Sequence, residues 1–232
     1  MLDRGLSLVE VDGLIEVAGG SVDIVKLGWG TAVVTGNLIA KLARYAEHGI
    51  PVMLGGTLTE VALRQGRVEG LIAWLRELGL RHVEISDGTI SLPPSAKREL
   101  ITRLAGEFVV LSEVGSKDID MIMAPYRWVE EIEAELEAGA WKVIAEAREA
   151  GNAGIYRADG EVRMGLIDEI AHAVDPDRLI FEAPRKQQQV FFLHRFGSNC
   201  NLGNIAPGDV LSLETLRLGL RSDTFDLGPQ AG

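Results

Sequence analysis

The sequence predicts an α/β protein of the (β/α)8, or TIM, barrel class, and three observations carry that prediction. Short apolar runs rich in β-branched residues alternate throughout with longer segments whose apolar residues recur at spacings of three and four. The unit is about 25 to 35 residues long and returns about eight times, as in a closed parallel barrel rather than an open doubly wound sheet. No G-x-G-x-x-G follows the first runs, which argues against a dinucleotide-binding sheet. With 232 residues and 47% hydrophobic composition the chain can bury one core of this size, so residues 1–232 are expected to form a single domain.

The opening strand can be drawn only from residues 1–6 (MLDRGL), so it is expected to be truncated at the N-terminus. The other seven are read at 22–27 (VDIVKL), 51–54 (PVML), 82–85 (HVEI), 108–111 (FVVL), 142–145 (KVIA), 179–181 (LIF) and 200–205 (CNLGNI). Helices are expected at 37–48, 58–78, 96–105, 126–138, 166–174, 187–196 and 209–218. Leu75, Leu78 and Leu80, and likewise Val129, Ile132 and Leu136, mark helix faces that pack on the sheet. The acidic run Glu130, Glu131, Glu133, Glu135 and Glu137 reads as a solvated face. Residues 57–60 (TLTE), after Gly55 and Gly56, read as a capping box whose N–H groups can also hold an anion.

A net charge of -11 argues against nucleic acid as a partner, because phosphate-backbone binding needs clustered basic residues. No apolar run approaches the roughly 20 residues that span a bilayer, and residues 1–8 carry Asp3 and Arg4 with no signal-peptide core. A cytoplasmic protein with no membrane partner is expected. The single cysteine, Cys200, allows no intrachain disulfide and reads as a small buried hydrophobe. The four histidines share no strand-end pattern and receive no role.

In such a barrel the chemistry sits at the C-terminal ends of the strands. Glu84, Glu113 and Glu146 lie near the ends of three successive strands, and converging carboxylates there suit a hard divalent cation, Mg2+. The alternative is that they form interior ion pairs with Lys26, Arg148 or Lys117, and both readings can hold together. Lys26 sits inside an apolar strand, a costly place unless it is paired or functional, as an anion ligand or a Schiff-base amine. Lys117 follows Gly115 and Ser116 in a loop, where it is a proton donor, an anion clamp or an ordinary exposed lysine. After the last two strands, Arg185, Lys186, Asn201 and Asn204 stand where barrels bind phosphate, with Thr57 as a further donor.

Seven longer segments are distinctive together: KLGWGT at 26–31, GGTL at 55–58, VEISDGT at 83–89, LSEVGSK at 111–117, FEAPRKQQQV at 181–190, FGSNCNLGNI at 196–205 and LETLRLGLRSDTF at 213–225. Over nearly the whole chain they resemble the phosphosulfolactate synthase family. The resemblance implies a (β/α)8 barrel, Mg2+, a homo-oligomer, and addition of sulfite to phosphoenolpyruvate to give (2R)-phospho-3-sulfolactate. The family's catalytic lysine falls on Lys117; VEISDG carries Glu84 and Asp87, and SEVG carries Glu113. The segment EARE at 146–149 stands where members usually read EGRE, keeping Glu146, Arg148 and Glu149.

The implied chemistry gives Mg2+ to Glu84, Glu113 and Glu146, proton donation at C2 to Lys117, charge compensation to Lys26 and Arg148, and the phosphate to Arg185, Lys186 and Asn201. Members normally carry a longer segment before the LDRGL motif, and the family also includes plant heat-stress proteins. A non-catalytic stress or scaffold role is therefore one rival. A barrel lyase acting on a phosphorylated keto acid through Lys26 is the other.

Overall fold

The structure, a computed structural model, describes residues 1–90, 92–115, 123–148 and 150–227. Eight strands form one parallel sheet in sequence order: β1 (Leu2–Asp3), β2 (Val25–Leu27), β3 (Val52–Leu54), β4 (His82–Ile85), β5 (Val109–Val114), β6 (Lys142–Ala145), β7 (Leu179–Glu182) and β8 (Leu202–Gly203). The expected barrel is thus observed. β1 has only two residues, yet both of its sides are engaged. Lys26 N–H donates to Met1 O at 2.9 Å on the β2 side, and Leu2 N–H donates to Ile205 O at 2.8 Å on the β8 side, drawing the sheet closed.

The surrounding helices are α1 (Leu8–Ala18), α2 (Thr31–Val34), α3 (Leu38–Glu47), α4 (Gly56–Arg64), α5 (Val68–Glu77), α6 (Pro94–Ala105), α7 (Pro125–Glu137), α8 (Met164–Ala173), α9 (Lys186–Phe196) and α10 (Val210–Arg217). Helix α1 was not anticipated, although Ser7 and Glu10 form a true capping box: Ser7 Oγ accepts from Glu10 N–H, and the Glu10 carboxylate accepts from Ser7 N–H at 2.7 Å. The segment expected as one helix over 58–78 is two, broken at 65–67, where Gly66 adopts φ 65°.

Strand side chains alternate between two environments. Val25, Leu27, Val83, Ile85, Val110, Val143, Leu179 and Phe181 point outward and are buried under the helices. Each such side chain contributes roughly 1.5–3 kcal/mol relative to exposure. Phe181 stacks on Phe192 and Phe196 of α9, with ring centroids 4.5 and 5.0 Å away. The inward-facing set begins with an apolar layer of Met53, Leu111 and Ile144, flanked by Ile24 and Ile180.

Two polar networks lie between sheet and helices. Asp3 is fully buried and accepts from Gly5 N–H, Leu6 N–H, Lys41 Nζ and Tyr45 OH, pinning the end of β1 to α3. Lys97 on α6 donates to Asp87 at 2.8 Å and to the Glu113 carbonyl at 2.6 Å, and pairs with Glu135 at 2.8 Å. Glu135, expected on a solvated face of α7, is therefore buried, because it is the carboxylate that balances Lys97. Cys200 is buried, and burial pushes its thiol up to about 11. Among the described residues, no helix is long and apolar enough to cross a membrane.

Candidate active site

Two residues beyond the apolar layer, the inward-facing positions change character. Ile24 is followed by Lys26, His82 by Glu84, Leu111 by Glu113, Ile144 by Glu146 and Ile180 by Glu182. The period of two thus stacks an ionised layer on the apolar one at the C-terminal end of the barrel. All four of these glutamates are buried.

Lys26 is the centre of this layer. Its Nζ lies 3.0 Å from Glu84 Oε2 and 3.1 Å from Glu182 Oε1. Burial alone would pull its pKa down, but Glu84, Glu182 and Glu113 more than offset this and hold the ammonium well above its ordinary range. A Schiff-base nucleophile must be a neutral amine, so the environment of Lys26 speaks against the lyase rival. Burial raises the carboxyl pKa of Glu84; Lys26 opposes that rise while Glu113 adds to it. The other oxygen of Glu84 accepts from Gly56 N–H at 2.8 Å.

Glu182 Oε2 accepts from Ala147 N–H at 3.0 Å, and Glu146 Oε1 accepts from Arg148 N–H at 2.5 Å. Glu113, Glu146 and Glu182 each present one carboxylate oxygen to the same point, with the three oxygens within 4.8 Å of one another. This buried, all-oxygen, anionic donor set fits a hard divalent cation of magnesium type. It shares Glu113 and Glu146 with the sequence expectation and includes Glu182, while Glu84 stands on the other side of Lys26 and accepts from Gly56 N–H. Glu182, also a strand-end carboxylate in the sequence, was not assigned to the metal although its spacing from Ile180 repeats the signal that marks Glu113 and Glu146.

Above the carboxylates opens a cavity of about 380 Å3, lined by Lys26, Trp29, Thr57, Arg148, Asn152 and Asn204 among others. Trp29, Arg148 and Asn204 each adopt φ 56°, and every described non-glycine residue with positive φ lines this cavity. Such conformations persist where surrounding structure imposes them, and they gather at functional sites. A larger cavity of about 640 Å3 reaches Lys26 and Glu182 from the opposite end, past Met53, Leu111, Ile144 and Ile180. Its inner wall is apolar apart from Lys26 and Glu182, whereas among the described residues the cluster of Glu113, Glu146 and Glu182 lies at the C-terminal mouth.

The remaining expected residues divide. Arg148, Asn204 and Thr57 line the mouth. Thr57, however, opens no capping box: α4 starts one residue earlier with Gly55 as its N-cap, and Glu60 turns inward to accept from Ser86 Oγ at 2.5 Å and Thr89 N–H at 3.1 Å. Lys186 pairs with Asp223 at 2.6 Å, and the exposed Arg185 donates to Asp159 O at 3.3 Å. Asn201 donates to Leu179 O at 2.9 Å, at the start of β7 and so at the far end of the barrel from the mouth. Strand direction explains Asn201: it precedes β8, whereas Asn204 follows it. Lys117 and Glu149 lie outside the described residues.

Comparison with known proteins gives a consistent picture. Residues 1–223 match the profile of a family described as (2R)-phospho-3-sulfolactate synthase (ComA). The chain is 43% identical over 230 residues to the phosphosulfolactate synthase of Bacillus subtilis strain 168, covering 98% of this chain and 91% of that protein. It is 41% identical over 231 residues to the phosphosulfolactate synthase of Methanocaldococcus jannaschii, covering 97% and 92%. Among solved structures, 3-hexulose-6-phosphate synthase from Salmonella typhimurium superposes with a TM-score of 0.56 at 13% identity, covering 97% of this chain and 92% of that one. Thiamine phosphate pyrophosphorylase from Pyrococcus furiosus does so at 0.54 and 12%, covering 97% and 94%. These two likenesses concern the fold alone.

Proposed function

This chain belongs to the (2R)-phospho-3-sulfolactate synthase family, and on that premise we propose that it is a phosphosulfolactate synthase, adding sulfite to phosphoenolpyruvate in a magnesium-dependent reaction. The observation that carries the reading is the layer of four buried glutamates around one charged lysine at the mouth of the barrel. In the reaction the sulfite sulfur bonds to C3 of the enolpyruvate, the double bond opens, and a proton is delivered to C2. Atoms and charge balance without an oxidant or reductant.

Glu113, Glu146 and Glu182 would hold the magnesium ion. When bound, it supplies Lewis-acid stabilisation of the negative charge that grows on the substrate carboxylate. Lys26 keeps its proton and acts by charge, drawing the anionic reactants toward the carboxylate layer. Arg148, Thr57 and Asn204 face the substrate across the cavity and supply donors to its oxygens. Proton delivery to C2 falls to Lys117, the position matching the family's lysine. A homo-oligomer in the cytoplasm completes the reading, supported by family membership and by the buried free thiol of Cys200.

The test is product formation by the purified protein from phosphoenolpyruvate and sulfite, with magnesium and with a chelator in its place. Phosphosulfolactate only in the presence of magnesium is expected. A folded protein that forms none with magnesium supplied would overturn the synthase reading. Borohydride in the presence of substrate should leave Lys26 unmodified.

A further inference from the structure

Arg185 and Lys186 are the phosphate donors that the sequence suggests, yet neither lines the mouth. The motif that carries them has another use, which lies in a buried amide. Gln188, in the first turn of α9, is 2% exposed and has partners at both ends of its side chain. Oε1 accepts from Arg185 N–H at 3.1 Å. Nε2 donates to Gly151 O at 2.9 Å and to Gly160 O at 3.2 Å, both in the segment that joins β6 to α8. One donor on one side and two carbonyls on the other fix which way the amide points. The same segment brings Arg148 and Asn152 to the mouth.

The approach is close enough to exclude a side chain. Gly151 adopts φ 60°, and a Cβ there would come within 2.6 Å of Gln188 Nε2; Gly160 adopts φ 92°, and a Cβ there would meet Arg185 Nη1. From Gly151 the constraint reaches Arg148 in one step, because Gly151 N–H donates to Arg148 O at 3.1 Å. On its other side Arg148 N–H donates to Glu146 Oε1 at 2.5 Å, in the carboxylate layer. Between these two ties Arg148 is held at φ 56°, a conformation that persists where surrounding structure imposes it. Arg163 Nη1 donates to Gly154 O at 3.0 Å and Tyr156 OH to Glu182 O at 2.6 Å, so the later part of the segment has anchors of its own.

We propose that Gln188 is a positioning residue that acts through Arg148: by holding Gly151 it sets the arginine that faces the substrate. The motif at the start of α9 thus serves the anionic substrate indirectly, through the segment it clamps. Aim matters because a guanidinium fork meets two oxygens only over a narrow range of directions. A displacement of about 1 Å costs up to roughly 100-fold in rate. The assignment rests on the reading of Arg148 as a donor to the substrate oxygens.

The experiment is a double-mutant cycle on Gln188→Leu and Arg148→Met. Gln188→Glu is a third variant, which keeps the acceptor for Arg185 N–H and removes the donor to the two glycines. With magnesium present, Kd for phosphoenolpyruvate is measured by calorimetry, KM and kcat by product formation, and Tm by thermal unfolding. Arg148→Met and Gln188→Leu are each expected to raise Kd and KM by about tenfold, and Gln188→Glu to follow them. In the Arg148→Met background Gln188→Leu should add less than about twofold to Kd, although it lowers Tm equally in both backgrounds. A purely structural glutamine gives the same fold-change in Kd in both backgrounds, or a lowered Tm with unchanged Kd, and either result overturns the proposal. Unchanged Kd in Arg148→Met takes the arginine out of the site and overturns it as well, as does a wild type that binds no phosphoenolpyruvate. Non-additive losses in Kd, in a protein whose wild type binds phosphoenolpyruvate but forms no phosphosulfolactate, leave the positioning role standing and remove the synthase reading instead.

Discussion

The two layers inside this barrel are separated by one step of the β pleat and differ in almost every physical respect. The lower one, Met53, Leu111 and Ile144 with Ile24 and Ile180, is apolar and follows the rule for any barrel core. The upper one, Lys26 with Glu84, Glu113, Glu146 and Glu182, buries four carboxylates around one ammonium. Burying that many charges is costly, and apolar residues of similar volume would be no less stable. The lower layer therefore holds the fold together, while the upper one is maintained against its own energetic preference, and the difference marks it as the site.

The largest effect expected from this contrast is that of Lys26→Met. It leaves Glu84 and Glu182 buried without their cation, and a loss of about 3–5 kcal/mol in urea unfolding is expected, with turnover abolished. A stability close to wild type would mean that the upper layer is not ionised as described. The pH dependence has two opposing signs. The folded pKa of Lys26 lies above its ordinary 10.5, so its contribution is complete below that pH and is lost as pH rises through the folded value. The raised pKa of Glu84 acts the other way: its ionisation costs stability as pH climbs above 4.5. Comparison of Tm against pH for wild type and Glu84→Gln should show a shallower acidic-side slope in the variant, the remainder coming from Glu135 and Glu131, whose pKa values burial also raises.

Glu182→Gln and Glu84→Gln separate metal ligation from ion pairing within the upper layer. Titration with Mg2+ or Mn2+ should show affinity falling by roughly 100-fold for the first and by much less for the second. Equal losses would return Glu84 to the ligand set. Next in size is Arg148→Gly, which relieves a positive φ and is expected to stabilise the protein by about 1 kcal/mol while lowering kcat/KM. Ser7→Ala, which removes a cap outside both layers, should cost about 1 kcal/mol and leave kinetics alone.

The barrel was legible because strand and helix periods differ and alternate here without interruption. Glu113 and Glu146 were legible as strand-end carboxylates for the same reason. The i, i+2 relation of Ile180 and Glu182 was equally present in the sequence, but which two or three carboxylates meet depends on strand tilt around the closed barrel. Sequence alone does not give that. Capping shows the same limit. Ser7–Glu10 and Thr57–Glu60 share one spacing, yet only the first is a capping box. Glu60 has better acceptor work to do at Ser86 and Thr89, contacts made across about 26 to 29 residues of chain. The partners of Lys186 and Asn201 are set by similar non-local facts, a distant aspartate and the end of the strand on which an amide falls.

The glycines at the mouth carry one more consequence. At position 55, just past β3 and two residues after Met53, there is no side chain where other strands place a glutamate or lysine, and a Cβ at Gly56 would collide with Ser86 Oγ and come within 2.8 Å of Glu84 Oε1. Both glycines sit where the wall of the mouth is closely packed, Gly55 against Leu27 O and the Lys26 side chain and Gly56 against Ser86 and Glu84. A single methyl group added at position 56 is enough to displace the carboxylate that braces Lys26, so the packing of this wall and the charge of the floor cannot change independently.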